Sequence, residues 1–152
     1  MTLSLERINS AKASNFLISK KKIVLITGAE SGIGKSTTKV FLDNGYRVIG
    51  TCLKNNKKDI KGIEYHKINI TNNLDWENLA SYIKDKYKKI DVLVNSAGVR
   101  LSGNLETTTM NDWSYHLNNN VTGTFLSCKH ILPFLKKAKN SSIINLASIN
   151  SV

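Results

Sequence analysis

The chain has few of the residues that characterise secreted, disulfide-stabilised proteins. Its 152 residues include one proline and two cysteines, Cys52 and Cys128, which have no metal-ligand spacing. We therefore predict no metal site, no disulfide scaffold and a reducing, cytoplasmic setting. No apolar run approaches the ~20 residues that span a bilayer, and the first 22 residues do not have the pattern of a secretory signal. We expect no membrane partner.

Acidic residues are also scarce, since 11 Asp and Glu stand against 22 Lys and Arg, for a net charge of +11. A basic balance of this size occurs in nucleic-acid-binding proteins. Here 19 of the basic residues are Lys and only 3 are Arg, the residue that recognises phosphates and bases through paired hydrogen bonds. Because the lysines are also dispersed, we interpret them as a solvated surface and predict no nucleic-acid partner. A basic nucleic-acid-binding module remains a less favoured alternative.

What the chain does contain is a series of short apolar runs that alternate with helical patterns. Strands are predicted over 23–26, 47–51, within 62–70, over 91–94 and over 142–146. Runs that are apolar throughout, rather than alternating, are typical of a parallel sheet covered by helices on both faces. We predict an α/β fold, a doubly wound parallel sheet in the order 3-2-1-4-5. Residues 1–21 are predicted to be a weakly ordered lead-in to one domain over 22–152.

Three helices are predicted between these strands. The first covers about 33–43 and is expected to turn Ile33, Thr37, Val40 and Phe41 to the sheet. The second covers 74–87. The third is a single long helix, weakened near its end by proline, with an apolar stripe at Leu117, Val121, Phe125, Cys128, Leu132 and Leu135.

A glycine-rich turn separates the first strand from the first helix, and residues 27–34 read Thr-Gly-Ala-Glu-Ser-Gly-Ile-Gly. Glycine permits a tight turn and a close approach of pyrophosphate, and the helix N-terminus offers unpaired N–H groups. The turn therefore predicts a dinucleotide site. Residues 34–37 also resemble the end of the phosphate loop of nucleoside triphosphatases. That alternative is weaker because Ala29 stands where the loop needs a glycine, and because the fourth strand ends in Asn95 rather than an acid.

Residues 27–34 resemble the TGxxxGIG motif of the classical short-chain dehydrogenases/reductases, and the resemblance extends from residue 22 to residue 152. Residues 95–98 resemble the NNAG segment of that family, with Ser96 in place of its second Asn. Further matches follow in order: an NxxG segment at 120–123, a KxxxP-like spacing at Lys129 and Pro133, and a fifth strand at 142–148.

The resemblance implies a Rossmann-type fold and an NAD(P)-dependent oxidoreductase that transfers a hydride between nicotinamide and a small carbonyl or alcohol substrate. Ser148 would hydrogen-bond the substrate oxygen, and Asn120 would hold a water of the proton relay. The residues implied to line the cofactor site are Thr27, Gly28, Ser31, Gly32, Ile33, Gly34, Cys52, Lys54, Asn69, Ile70, Asn95, Ala97 and Gly98.

The proton donor of that family is a Tyr in a YxxxK motif, which is expected about a dozen residues beyond Ser148. The sequence ends at Val152, before that position. We therefore interpret the chain as the N-terminal cofactor-binding portion of such an enzyme, truncated before the motif, and expect it to lack the catalytic Tyr and Lys and to be inactive alone. A truncated nucleotide-binding homologue is the alternative. The full-length enzyme is expected to be a homo-oligomer.

The end of the second strand bears on the choice of cofactor. An NAD-preferring site places an acid there, to accept a hydrogen bond from the ribose 2′-hydroxyl. This chain has Cys52 and, two residues on, Lys54, which favours NADP. Glu30, inside the glycine turn, favours the opposite choice. We predict NADP, with NAD as the alternative.

Overall fold

A computed structural model describes residues 21–54 and 60–148 of the chain. The predicted lead-in over residues 1–21 lies almost wholly outside the described residues. The elements follow in the order β1 (Ile23–Ile26), α1 (Gly32–Asp43), β2 (Arg47–Cys52), β3 (Ile63–Lys67), α2 (Asn73–Lys86), β4 (Val92–Asn95), α3 (Met110–Leu117), a π-helical turn (Asn118–Thr122), α4 (Gly123–Leu135) and β5 (Ser142–Asn145).

The five strands form one parallel sheet in the order β3-β2-β1-β4-β5, which confirms the predicted topology. Leu25 at the centre of β1 pairs with Ile49 of β2 on one side and with Leu93 of β4 on the other. Because all strands are parallel, the turns that follow them lie along one edge of the sheet. At this edge doubly wound folds bind their ligands.

Alternate strand residues separate two apolar layers on opposite faces of the sheet. On one face, Ile23 and Leu25 pack with Trp76 of α2 and Phe134 of α4. On the other face, Val24, Ile26, Val48 and Val94 pack with Phe41 and Leu42 of α1. Burial on both faces explains why β1 is apolar throughout.

The predicted inner face of α1 is wrong in part. Ile33 and Val40 are 66 % and 60 % exposed, whereas Gly34 and Thr38 are buried. The reason is the close approach of α1 to the glycine turn, which admits only small residues at its first contact with the sheet. The apolar period of the sequence identified the helix but not its buried side.

The predicted long third helix is interrupted, and its buried side also differs from the predicted stripe. A π-helical turn separates α3 from α4, and α4 buries Leu126, Ser127, Ile131, Phe134 and Leu135. The predicted positions Leu117, Val121, Phe125 and Leu132 are 41–61 % exposed. The extra residue of a π turn rotates the face that follows it, which a sequence period of 3.6 does not register. Pro133 lies inside α4, two residues before the helix ends.

Candidate functional site

The glycine turn joins β1 to α1, and at two of its three glycines there is no room for a side chain. Gly28 has a φ of +63°, and a Cβ there would lie 3.0 Å from Cα of Ala97. At Gly34 a Cβ would lie 2.2 Å from the carbonyl oxygen of Gly28. Gly32 has a φ of +50° but open space around it. Gly28 and Gly34 therefore allow close packing, while Gly32 has a left-handed backbone conformation and faces open space.

Thr27 connects this turn to the one that follows β4. Its buried hydroxyl oxygen accepts hydrogen bonds from the backbone N–H groups of Ser96, at 3.0 Å, and Ala97, at 2.9 Å. A single side chain thus fixes the relative position of two segments that are 70 residues apart in sequence.

The N-terminus of α1 opens directly from the turn. Ser31 is the N-cap residue, but its side chain makes no capping hydrogen bond, and the first turn has no acidic residue. Ile33 lies exposed beside it. Unpaired N–H groups and the positive end of the helix dipole suit an anionic group such as pyrophosphate.

The carboxylate of Glu30 lies against the end of β2. Ala29 N–H donates to the carbonyl of Thr51 at 3.0 Å, which brings Glu30 next to Cys52. Burial raises the pKa of the Cys52 thiol, and the neighbouring Glu30 carboxylate raises it further. The thiol donates to the carbonyl of His66 at 3.7 Å. Oε2 of Glu30 is buried and has no hydrogen-bond partner among the described residues.

Of the remaining predicted cofactor residues near β2 and β3, Lys54 is exposed and Asn69 and Ile70 support local structure. Oδ1 of Asn69 accepts from the N–H and hydroxyl of Thr71, at 3.1 and 2.9 Å. The side chain of Ile70 packs on Gly123, where a Cβ would lie 2.8 Å from Cδ1 of Ile70.

Asn95, at the end of β4, is buried and fully engaged within the protein. Its amide nitrogen donates to Oδ1 of Asn145 at 2.8 Å and contacts Sγ of Cys128 at 3.5 Å, while Oδ1 accepts from Ser127. This side chain therefore joins β4 to β5 and α4. Its part in the predicted cofactor site is to position the turn after β4.

Asn120 lies in the π-helical turn and clamps the loop after β4. Its Oδ1 accepts from Val99 N–H at 2.8 Å, and its Nδ2 donates to the carbonyl of Val99 at 3.0 Å. A Cβ on the adjacent Gly98 would lie 3.1 Å from the same Oδ1. Both side-chain atoms therefore position the loop. The predicted role of Asn120 in holding a water stays a prediction.

Ser148 is exposed three residues beyond β5. Leu146 N–H donates to the carbonyl of Asn95 at 3.0 Å, so the segment leaving β5 continues to follow β4. Ser148 thus follows the carboxyl end of β5, whereas Asn120 belongs to the π-helical turn and bonds the loop that follows the neighbouring strand β4. The predicted role of Ser148 in binding the substrate oxygen stays a prediction.

A Tyr-x-x-x-Lys spacing does occur in the chain, at Tyr82 and Lys86 of α2. Tyr82 hydrogen-bonds Lys86 on α2, and Lys86 also donates to Glu64 of β3 at 2.6 Å. Because β3 and β5 are the two outer strands, four inter-strand spacings of ~4.8 Å, or about 19 Å, separate Glu64, the partner of this pair, from the strand before Ser148. The pair therefore lies outside the candidate active site.

The comparison with known families assigns the chain to one of them. The profile of the short chain dehydrogenase family matches residues 22–152. The chain therefore belongs to the short-chain dehydrogenase/reductase family, as the sequence motifs predicted. Among the described residues, no helix is long and apolar enough to cross a membrane.

Individual relatives agree with this assignment. The chain is 35 % identical to a 3-ketodihydrosphingosine reductase of Bacteroides thetaiotaomicron, over 86 % of this chain and 48 % of the relative. It is 35 % identical to the 3-oxoacyl-acyl-carrier-protein reductase FabG of Thermotoga maritima, over 84 % of this chain and 56 % of the relative. The chain thus spans about half the length of the curated relatives it matches.

Solved structures agree on the fold. The ligand-free aldohexose dehydrogenase of Thermoplasma acidophilum superposes with a TM-score of 0.81 at 28 % identity, over 86 % of this chain and 51 % of that one. ElxO with NADP bound superposes with a TM-score of 0.78 at 32 % identity, over 85 % and 56 % of the two chains.

Proposed function

We propose that the chain forms the dinucleotide-binding part of an NAD(P)-dependent oxidoreductase that interconverts a small carbonyl compound and its alcohol. The observation that carries this proposal is the glycine turn. Gly28 and Gly34 occupy the positions at which β1, α1 and the turn after β4 come into close contact, and the N-terminus of α1 lies beside them. Pyrophosphate fits such a turn because backbone N–H groups reach it without steric hindrance.

The chemistry of the bound cofactor is hydride transfer at the nicotinamide, and the protein positions the substrate and manages its oxygen. In this proposal the hydroxyl of Ser148 donates to the substrate oxygen and stabilises the charge that develops on it. Asn120 fixes the loop after β4 through Val99 and thereby shapes the wall of the site.

Fluorescence titration with NADH and NADPH tests the binding part of the proposal. We expect saturable binding by the 152-residue chain and its loss in Gly34→Val, because the added side chain meets the Gly28 carbonyl. Gly45→Ala is the matched control, since Gly45 lies just beyond the other end of α1 and a Cβ there meets no neighbouring atom. Absence of binding by a natively folded chain would contradict the proposal.

We further propose that these 152 residues have no appreciable dehydrogenase activity by themselves. Ser148 and Asn120 can orient an oxygen, but neither is an acid at neutral pH. General acid–base assistance contributes about 10²–10⁴-fold to such reactions. The test is NADPH and NADH oxidation with a panel of ketones and aldehydes. Turnover that is lost in Ser148→Ala would contradict this expectation and would indicate another proton donor.

The choice between the two cofactors is the finer part of the proposal. Lys54, exposed beyond β2, supports NADP, and so does the resemblance to ElxO, which was solved with NADP bound. Glu30, in the glycine turn, acts in the opposite direction.

We also propose that the whole protein is a homo-oligomer. The exposed apolar residues Leu117, Val121, Phe125 and Leu132 lie along α3, the π turn and α4, and clustered exposed apolar side chains mark interaction surfaces. Light scattering after size exclusion tests this: Phe125→Lys should lower the measured mass, whereas Lys129→Glu, a charge change at an already polar position of α4, should not.

A further inference from the structure

We propose that Glu30 accepts a hydrogen bond from the adenosine ribose of the bound dinucleotide and makes the chain prefer NAD(H) over NADP(H). The inference rests on the proposed dinucleotide binding. It assigns to a residue of the glycine turn the role that other dinucleotide-binding folds give to an acid at the end of the second strand.

The first step is the position of Glu30. The backbone bond from Ala29 to Thr51, at 3.0 Å, draws the turn onto the end of β2. The fit is close, since a Cβ at Gly50 would lie 2.8 Å from Cβ of Ala29. The Glu30 carboxylate consequently lies beside Cys52, the last residue of β2. The ribose of a dinucleotide is recognised at this strand end.

The second step is the state of the carboxylate. Oε2 of Glu30 is buried and has no hydrogen-bond partner among the described residues. Its neighbour, the Cys52 thiol, interacts with the Glu30 carboxylate as well as with the carbonyl of His66, so Oε2 is the oxygen that has no donor. A buried oxygen without a donor is costly, and a ribose hydroxyl is a donor of the right kind. Pairing the two relieves this cost and stabilises the complex.

The third step compares Glu30 with Lys54, because the two residues favour opposite cofactors. Lys54 is exposed, and an exposed ion pair contributes less than about fivefold to affinity. A 2′-phosphate placed beside the half-buried Glu30 carboxylate meets like charge at close range, which weakens binding by at least about tenfold. The half-buried charge of Glu30 therefore outweighs the exposed charge of Lys54.

Direct binding measurements test the inference without any turnover. Calorimetry with 5′-AMP and 2′,5′-ADP isolates the 2′-phosphate, the single group by which these two ligands differ. Fluorescence titration with NADH and NADPH repeats the comparison on the whole cofactors. The variants are Glu30→Gln, Lys54→Gln and, as the matched control, Glu77→Gln, which removes the same charge from an exposed position on α2.

We expect the unmodified chain to bind NADH at least tenfold more tightly than NADPH. Glu30→Gln should weaken NADH about tenfold and tighten NADPH, so that the preference disappears or reverses. Glu77→Gln should leave the ratio within twofold of its original value, and Lys54→Gln should change NADPH affinity by less than fivefold.

Three results would overturn the inference. One is tighter binding of NADPH by the unmodified chain, which decides the matter even where Glu30→Gln fails to fold. Another is an unchanged ratio in a folded Glu30→Gln. The third is a loss of NADPH affinity greater than tenfold in Lys54→Gln. Absence of binding by all four ligands would instead overturn the proposed function itself, and this assignment with it.

Discussion

Two half-buried glutamates, Glu30 and Glu64, differ in how fully their carboxylate oxygens are hydrogen-bonded. Both oxygens of Glu64 are paired: Oε1 is 2.9 Å from Nε2 of His66, and Oε2 accepts from Lys86 at 2.6 Å and from Tyr87 at 2.5 Å. Oε2 of Glu30 is buried with no partner among the described residues. The hydrogen bonding of the carboxylate is therefore complete at Glu64 and incomplete at Glu30. We call their surroundings the complete region and the incomplete region.

The location of each glutamate matches this difference. Glu64 lies near the start of the outer strand β3, where it connects the sheet to the C-terminal part of α2. Glu30 lies in the glycine turn, at the carboxyl ends of β1 and β2. A satisfied polar cluster holds a fold together, whereas an unsatisfied group at a ligand-binding edge retains free energy for binding. Whether a carboxylate has hydrogen-bond partners within the protein thus indicates its role, which the residue type alone does not.

The largest effect is expected in the incomplete region, from Gly34→Ala. Its Cβ would lie 2.2 Å from the backbone oxygen of Gly28, so α1 must move away from the turn. We expect the free energy of unfolding to fall by about 2–3 kcal/mol and dinucleotide affinity to fall below detection. Urea denaturation and NADH titration measure both. Gly32→Ala, with a φ of +50° and no nearby atom, should cost only about 1 kcal/mol, and equal losses in the two variants would refute the steric explanation.

A smaller effect is expected from Thr27→Val, which keeps the shape of the side chain but removes its oxygen. The backbone N–H groups of Ser96 and Ala97 then lose their acceptor. We expect a loss of about 1–3 kcal/mol in stability and roughly tenfold weaker NADH binding, since the turn after β4 is no longer tied to β1. Hydrogen exchange at these two amides should accelerate. Unchanged exchange would indicate that another group holds the turn.

For the complete region, around Glu64, we expect a substitution to change the free energy of unfolding and its pH dependence without changing dinucleotide binding. Burial by itself raises the pKa of Glu64, but hydrogen bonds from His66, Lys86 and Tyr87 outweigh it and hold that pKa well below its usual range. Since the native pKa is below the ordinary value of 4.5, the stabilisation is complete above about pH 4.5 and is lost as the pH falls further.

Glu64→Gln should therefore lower the free energy of unfolding by about 1–2 kcal/mol at pH 7. The deficit should shrink in urea denaturation at pH 3.5, and NADH affinity should remain the same. Exposed Glu77→Gln serves as the control for the loss of one charge and should change stability by less than about 0.5 kcal/mol. A deficit that does not depend on pH would contradict the assigned role of the Glu64 charge.

The sequence predicted the sheet order and the elements because buried parallel strands and a glycine turn are local patterns. It predicted the wrong inner face for α1, because the space at Gly34 depends on the conformation of the turn that brings the Gly28 carbonyl against it. Long-range contacts were also beyond it: the hydrogen bond between Thr27 and Ala97, and the Asp91 carboxylate that accepts from Ile23 N–H at 2.8 Å. Contacts between residues about 70 positions apart leave no periodic trace in one sequence.

The smallest effect is expected from Tyr82→Phe, which separates motif spacing from function. Tyr82 and Lys86 have the spacing of the catalytic pair of this family, but they lie at the opposite outer strand from Ser148. Burial raises the pKa of Tyr82, whereas a tyrosine that delivers a proton near neutral pH needs a lowered pKa. Removing the hydroxyl should cost about 0.5–1 kcal/mol of stability, because Lys86 keeps its bond to Glu64. NADH affinity should stay within twofold. A tenfold change would mean that the cluster around Glu64 affects the cofactor site as well as stability.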